Sequence, residues 1–132
     1  MAKLALPEGV VLCAHRLVTT NALDPAALEG SFYSNKRKGR RARGREINCP
    51  AIWDGLSCFY SLQGARDLYG FIAPKLKRAG KPVAMGNFVA ELRLVGGTYE
   101  VWYKDRHDPT GHITIWAAPL DLAGAVVDIH DA

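Results

Sequence analysis

A chain of 132 residues, 48% hydrophobic and 23% charged, has the makeup of one compact domain with a real core, which excludes a disordered or fibrous class. The opening MAKLALPEG lacks a secretory h-region and no run is long enough to cross a bilayer, so a cytoplasmic protein is expected. The formal net charge is +4, yet KRKGRRARGR, residues 36 to 45, holds seven Lys or Arg and no acid, and elsewhere ten cations face thirteen acids, a net of −3.

That imbalance makes the basicity one local feature. A run so dense repels itself and contains Gly39 and Gly44, which predicts an exposed, mobile loop over 35–46 within a single domain spanning 1–132. Lys36, Arg37, Lys38, Arg40, Arg41, Arg43 and Arg45 are its candidate contacts to phosphates of nucleic acid or of a polyanionic ligand. The run carries no interleaved aromatic for base stacking, so a loop that is merely solvated is the alternative.

In chain order, VVLCAHRL (10–17) reads as a strand with Val11, Cys13, His15 and Leu17 on one face. In DPAALEG, Asp24 is placed to cap a short helix with Pro25 at its first position and Gly30 past its end. GLSCFYS (55–61) reads as a second strand. Ser61 then caps a helix whose apolar positions Leu62, Ala65, Leu68, Tyr69 and Ile72 recur at helical spacing, and Pro74 should end or kink it. NFVAELRLV alternates, with Phe88, Ala90, Leu92 and Leu94 against Glu91 and Arg93. The pair Gly96-Gly97 reads as a hairpin turn into TYEVWYK. After the loop DRHDPTG come a strand, HITIW, a short helix from APLDLAGAVV, and a terminal strand, VVDIHDA. The pattern predicts an α+β fold: a mainly antiparallel sheet with one longer and two short helices.

Cys13, Cys49 and Cys58 are odd in number and widely spaced, with no CxxC pair. They point to free thiols in packing positions rather than to zinc or disulfides. Of the histidines, His15 shares a face with core-type neighbours, so an enclosed ring in need of partners is expected there. His107 sits in a loop between Arg106 and Asp108, and His130 lies near the chain end. In HITIW, His112, Thr114 and Trp116 share the face opposite Ile113 and Ile115, which is either the outside of a sheet or the floor of a site.

The segment HIT matches half of the two-histidine phosphoesterase signature, but His15 is followed by Arg16 and Leu17, so the second half is missing. More of the chain resembles ADP-ribosyltransferase-like domains of the histidine-tyrosine-glutamate branch. CAHRLVTTNALDPAALEG looks like the first motif, with His15 in the motif position. GLSCFYSLQGARDLYG looks like the second, with Phe59 or Tyr60 as its aromatic, and HITIWAAPLDL looks like the third. The resemblance implies a pocket for NAD as a candidate substrate, in which Tyr60 packs on the nicotinamide with Ser57 nearby; Trp116, an apolar anchor first, shares the His112 face and is the tryptophan expected to line a pocket. His15, Tyr60 and His112 would then converge as the catalytic group.

This chain departs from that family where its catalytic glutamate would stand, since the position is His112. A neutral imidazole offers no negative charge to the cation that grows as nicotinamide leaves, and an imidazolium opposes it. Glu91 or Glu100 could supply the acid, the domain could bind a nucleotide without reacting it, or it could act as the related 2′-phosphotransferases do, through basic residues. The expected function is an ADP-ribosyltransferase-like domain binding a dinucleotide or a phosphorylated nucleic-acid end. The alternatives are a non-catalytic nucleic-acid-binding module using the basic loop, or a basic toxin-type ribonuclease with His15 or His112 as acid-base.

Overall fold

A computed structural model describes residues 3–97, 99–103 and 111–132, apart from the side chains at 45, 102 and 103. Seven strands form one antiparallel sheet: β1 (Leu4–Ala5), β2 (Val11–Val18), β3 (Leu56–Phe59), β4 (Phe88–Val95), β5 (Glu100–Tyr103), β6 (His112–Trp116) and β7 (Val126–Asp131), in the order β1-β5-β6-β3-β2-β4-β7. The helices are α1 (Pro25–Leu28), continued by a 3-10 turn over Glu29–Phe32, α2 (Arg45–Asn48), α3 (Pro50–Asp54), α4 (Leu62–Arg78) and α5 (Pro119–Gly124). The domain is α+β, as the hydrophobic patterning predicts. Among the described residues no helix is long and apolar enough to cross a membrane.

Period-2 alternation splits the apolar residues between two faces. One face carries the main core: Ala14 and Val18 of β2, Leu92 and Leu94 of β4, and Ile113 and Ile115 of β6, closed by Leu28, Phe32 and Leu122 from α1, the 3-10 turn and α5. The other face carries a smaller cluster, Leu17, Phe59 and Val89, covered by Ala65, Leu62, Leu68 and Tyr69 of α4. Helix α4 covers only part of that face. Cys13, on its open part, is therefore exposed, Cys49 is half-buried, and Cys58 alone of the three is a buried packing thiol.

Local signals in the sequence act as their chemistry dictates. The Asp24 carboxylate accepts from Ala26 N at 3.3 Å at the start of α1, and Ser61 Oγ accepts from Gly64 N at 3.0 Å at the start of α4. Lys75, Lys77 and Arg78 in the last turn of α4 complement the helix dipole. Pro74 neither ends nor closes that helix, which runs on to Arg78. Its missing N–H and its ring fall opposite the carbonyl of Gly70, four residues back. Gly70 is exposed, and a Cβ built on it would meet nothing within 4 Å.

The Gly96-Gly97 pair does not make a hairpin, because β4 and β5 are not neighbours. Both edges of β4 are occupied, by β2 and by β7, so the chain must leave for the far side of the sheet. It does so alongside the link from β1 to β2: Gly96 N donates to Val10 O at 2.8 Å and Gly97 N to Leu6 O at 3.0 Å. A Cβ at Gly96 would lie 1.7 Å from Pro7 O, so close backbone approach is what requires glycine there.

The sheet is two sub-sheets joined at one place. Strands β2 and β3 share a single bridge pair, His15 with Phe59, whereas β2 pairs with β4 along its whole length. The two strands diverge beyond that pair, and the opening between them positions the site described next. Replacing the α4 cap, Ser61→Ala, is expected to cost about 0.5–2 kcal/mol, read as a lowered urea midpoint with unchanged slope.

Candidate functional site

Arg16 fills the seam between the sub-sheets. It lies on the core-facing side of β2 between Ala14 and Val18, yet its guanidinium turns into the gap. There Nε donates to Ser31 O at 2.9 Å and Nη1 to Ser57 O at 2.8 Å. The first bond ties the seam to the turn after α1, and the second bridges β2 to β3. Burial lowers the Arg16 pKa, partly offset by Cys58 beside it, and burial pushes the Cys58 thiol up to about 11, again offset by Arg16.

A cleft of two lobes opens beside Arg16. The larger, about 510 Å³, has an apolar floor from Leu17, Phe59, Leu68 and Met85. Its rim carries Arg16, Lys38, Arg40, Arg43 and Lys81, with no carboxylate among the described lining residues. The smaller, about 190 Å³, is polar, with Ser57, His112, Thr114, Tyr33 and Glu46 in its wall. Arg16, Asn35, Lys38 and Ser57 line both lobes. Lys38 has a lowered pKa, through burial first and then through Arg40 and Arg16. Unlike charges are thus not distributed evenly. Cations crowd one lobe and stand in the way of one another, an arrangement that an anion would relieve.

The basic run is folded onto the body rather than free of it. Trp53 of α3 is its anchor: the indole Nε1 donates to Arg40 O at 2.9 Å, Lys36 N donates to Trp53 O at 3.2 Å, and Lys36 Nζ stands 5.8 Å from the ring centroid. Glu46 closes the far end, accepting from Asn35 Nδ2 at 2.9 Å and from Arg43 N at 3.0 Å. Lys38, Arg40 and Arg43 line the larger lobe, whereas Arg37 and Arg41 are exposed outside both linings. The Arg45 side chain lies outside the described residues.

Strand register decides the fate of the three expected catalytic residues. His15 pairs with Phe59, and Phe59 with His112, so the two histidines lie on one face in one cross-strand row. Phe59 stands between them, however, and His15 and His112 are two strand spacings apart, about 10 Å at the backbone. The Phe59 ring meets His112 edge-on at 5.5 Å. His112 lines the smaller lobe and contacts Ser57 Oγ through Nε2. His15, 8% exposed, instead faces Glu91, with Nε2 3.6 Å from Oε1, and its Nδ1 is buried without a hydrogen-bond partner. Tyr60 lies past the end of β3, 45% exposed, against Gly111. The three do not converge, because a whole strand separates the histidines and β3 ends one residue before the tyrosine.

Trp116 is a structural anchor rather than a wall of either lobe. It is 7% exposed, its Nε1 donates to Ala51 O at 2.9 Å, and Lys3 Nζ lies 4.9 Å from its ring centroid. Glu91 is engaged by His15 and by His130, whose Nε2 is 3.3 Å away, and Glu100 of β5 pairs with Trp116 of β6. Neither carboxylate lines the lobes. Residues 106 to 108, with His107, lie outside the described residues.

Thr114 lines the smaller lobe on the face expected for it, whereas Arg16, Asn35, Glu46 and Lys81 are lining residues that the sequence did not point to. The sequence places Arg16 on the face opposite Cys13, His15 and Leu17, and only the fold turns that face, with Ala14 and Val18, toward the main core. The others depend on distant loops meeting. Among the described residues no cluster of three His, Cys, Asp or Glu side chains has a metal-binding arrangement.

Arg16→Met should leave two carbonyls without their charged donor and cost about 1–3 kcal/mol in urea unfolding. Thiol labelling of the native protein at mildly alkaline pH should reach exposed Cys13 first and Cys58 last, since burial holds Cys58 protonated up to about 11. The Cys58 contribution to stability is present at neutral pH. It should be lost as pH rises from the unfolded thiol's ~8.5 through the folded value. No protein-family model matches the chain, and no curated protein or solved structure matches it.

Proposed function

We propose that this chain is an ADP-ribosyltransferase-like domain that holds a phosphorylated nucleotide, as a dinucleotide such as NAD or a phosphorylated nucleic-acid end, in the two-lobed cleft. The observation that carries the reading is the larger lobe: five cationic side chains over an apolar floor, with no carboxylate among its described lining residues. Phosphates suit the rim and a base suits the Phe59, Leu68 and Met85 floor, and a volume of about 510 Å³ accommodates a nucleotide. The three segments that resemble the family's motifs also support it, because they fold as the adjacent strands β2, β3 and β6.

His15 gives way to its neighbour in this reading. Arg16 is the cation of the first segment that lines both lobes, and Ser57 and His112 represent the second and third. The family's glutamate has no equivalent on β6. The domain therefore binds through charge first, and any transfer to or from NAD needs another carboxylate. Glu46, the described acid lining the smaller lobe, is the nearest in kind. Exposed Arg37 and Arg41 extend the positive surface beyond the cleft, which suits a nucleic-acid end as the longer ligand.

Thermal melting with ADP, NAD, a 5′-phosphorylated RNA oligomer and adenosine tests this directly. Phosphorylated ligands should raise Tm, by the equivalent of about 2.7 kcal/mol at a hundredfold excess over Kd. Adenosine should not raise it. High salt and a Lys38→Ala/Arg43→Ala double change should each shrink the shift. Equal shifts with adenosine, or none with any phosphorylated ligand, would sink the reading. Nicotinamide release separates turnover from binding.

A further inference from the structure

Ser57 and His112 are diagonal neighbours on one face of the β3–β6 ladder, where Ser57 pairs with Thr114 and His112 with Phe59. Ser57 Oγ and His112 Nε2 are in hydrogen-bond contact. A hydroxyl held against an imidazole nitrogen is the arrangement of an activated nucleophile. Ser57 is exposed, so this hydroxyl is open to a ligand, and it lines both lobes.

The sign of the surrounding charge decides what such a hydroxyl can attack. Arg16 and Lys38 line both lobes beside it, and Asn35 adds an amide. Two cations at the reacting centre oppose the positive charge that develops on a ribosyl carbon as nicotinamide leaves. They favour the negative charge on the oxygens of a phosphoryl group in transfer. Resting on the reading that a phosphorylated nucleotide occupies the cleft, we infer that Ser57 is a nucleophile toward a phosphodiester or diphosphate linkage of that nucleotide, with His112 as its general base.

The atoms balance without any further reactant than water. The Ser57 Oγ–P bond forms as the P–O bond to the leaving group breaks. The serine proton passes to His112 Nε2 and from there to the leaving oxygen. Water then attacks phosphorus, His112 Nε2 takes its proton, the Oγ–P bond breaks, and Oγ recovers a proton from the imidazolium. Arg16 holds Ser57 in place through the Ser57 carbonyl, and with Lys38 it supplies positive charge at the phosphoryl oxygens. Glu46, in the wall of the same lobe, is fixed by Asn35 and Arg43 N and stays out of these steps.

Bis(4-nitrophenyl) phosphate is a probe for this step that needs no knowledge of the natural substrate. With the whole chain, we expect a burst of nitrophenolate equal to the protein present. After acid quenching, a mass gain of one nitrophenyl phosphoryl group should map to Ser57. Ser57→Ala should abolish both, and His112→Ala should slow the burst by about a hundredfold or more. His112→Gln replaces it if the alanine variant fails to fold. A burst that survives Ser57→Ala, or no burst and no adduct while ADP still raises Tm, overturns the serine step and leaves nucleotide binding standing. No adduct together with no Tm shift from any phosphorylated ligand overturns both.

Discussion

The guanidinium of Arg16, wedged where β2 and β3 part, is the contact on which the rest of the molecule's functional surface depends. Antiparallel strands normally satisfy one another by a full ladder. Here the ladder between the sub-sheets is one residue pair, and the next backbone carbonyl of β3 in the gap, Ser57 O, is satisfied by a side chain instead. That substitution spans the gap between the sub-sheets, and the cleft opens beside it. It also places a permanent positive charge at the bottom of the opening, where no aliphatic residue could both span the gap and attract an anion.

Around that charge the loop after the first helix is wrapped rather than extended. Seven cations in ten residues would drive one another into solvent, and composition alone argues for that outcome. Trp53 and Glu46 tether the loop backbone while its described cationic side chains stay exposed. The electrostatic cost remains in the crowding of Lys38 by Arg40 and Arg16, which together with burial lowers its pKa. A site that keeps like charges together in the absence of a ligand is poised to bind the opposite charge. The same field sets the chemistry available to Ser57 and His112, because a transition state is helped only by charge of the sign it develops.

The two histidines on the sheet face show how far position in the row separates residues of one kind. His15 and His112 face the same way and flank the same phenylalanine. Toward β4 and β7 the row continues with Glu91 and Asp128, and His15 and His130 share the Glu91 carboxylate. Toward β6 the row ends at the cleft, and His112 meets a serine hydroxyl. One histidine thus belongs to a packed row of imidazole and carboxylate side chains and the other to a solvent-facing lobe.

Local chemistry made much of the fold legible in the amino-acid order itself. The alternation in β4, the Asp24-Pro25 and Ser61 helix starts, the strand HITIW with its two faces, and the concentration of charge in one segment all follow from short-range sterics and side-chain type. His112 and Thr114 were recognisable as cleft-facing candidates for the same reason, since parity along a strand is local, whereas Ser57 entered only through the family resemblance. Tertiary structure alone decided which strands are neighbours: that β3 lies between β2 and β6, that Gly96-Gly97 leads to a crossing rather than a hairpin, and that Arg16, not His15, reaches the cleft. Those outcomes depend on pairing between segments up to about a hundred residues apart, and a strand's own residues specify its faces but not its partners.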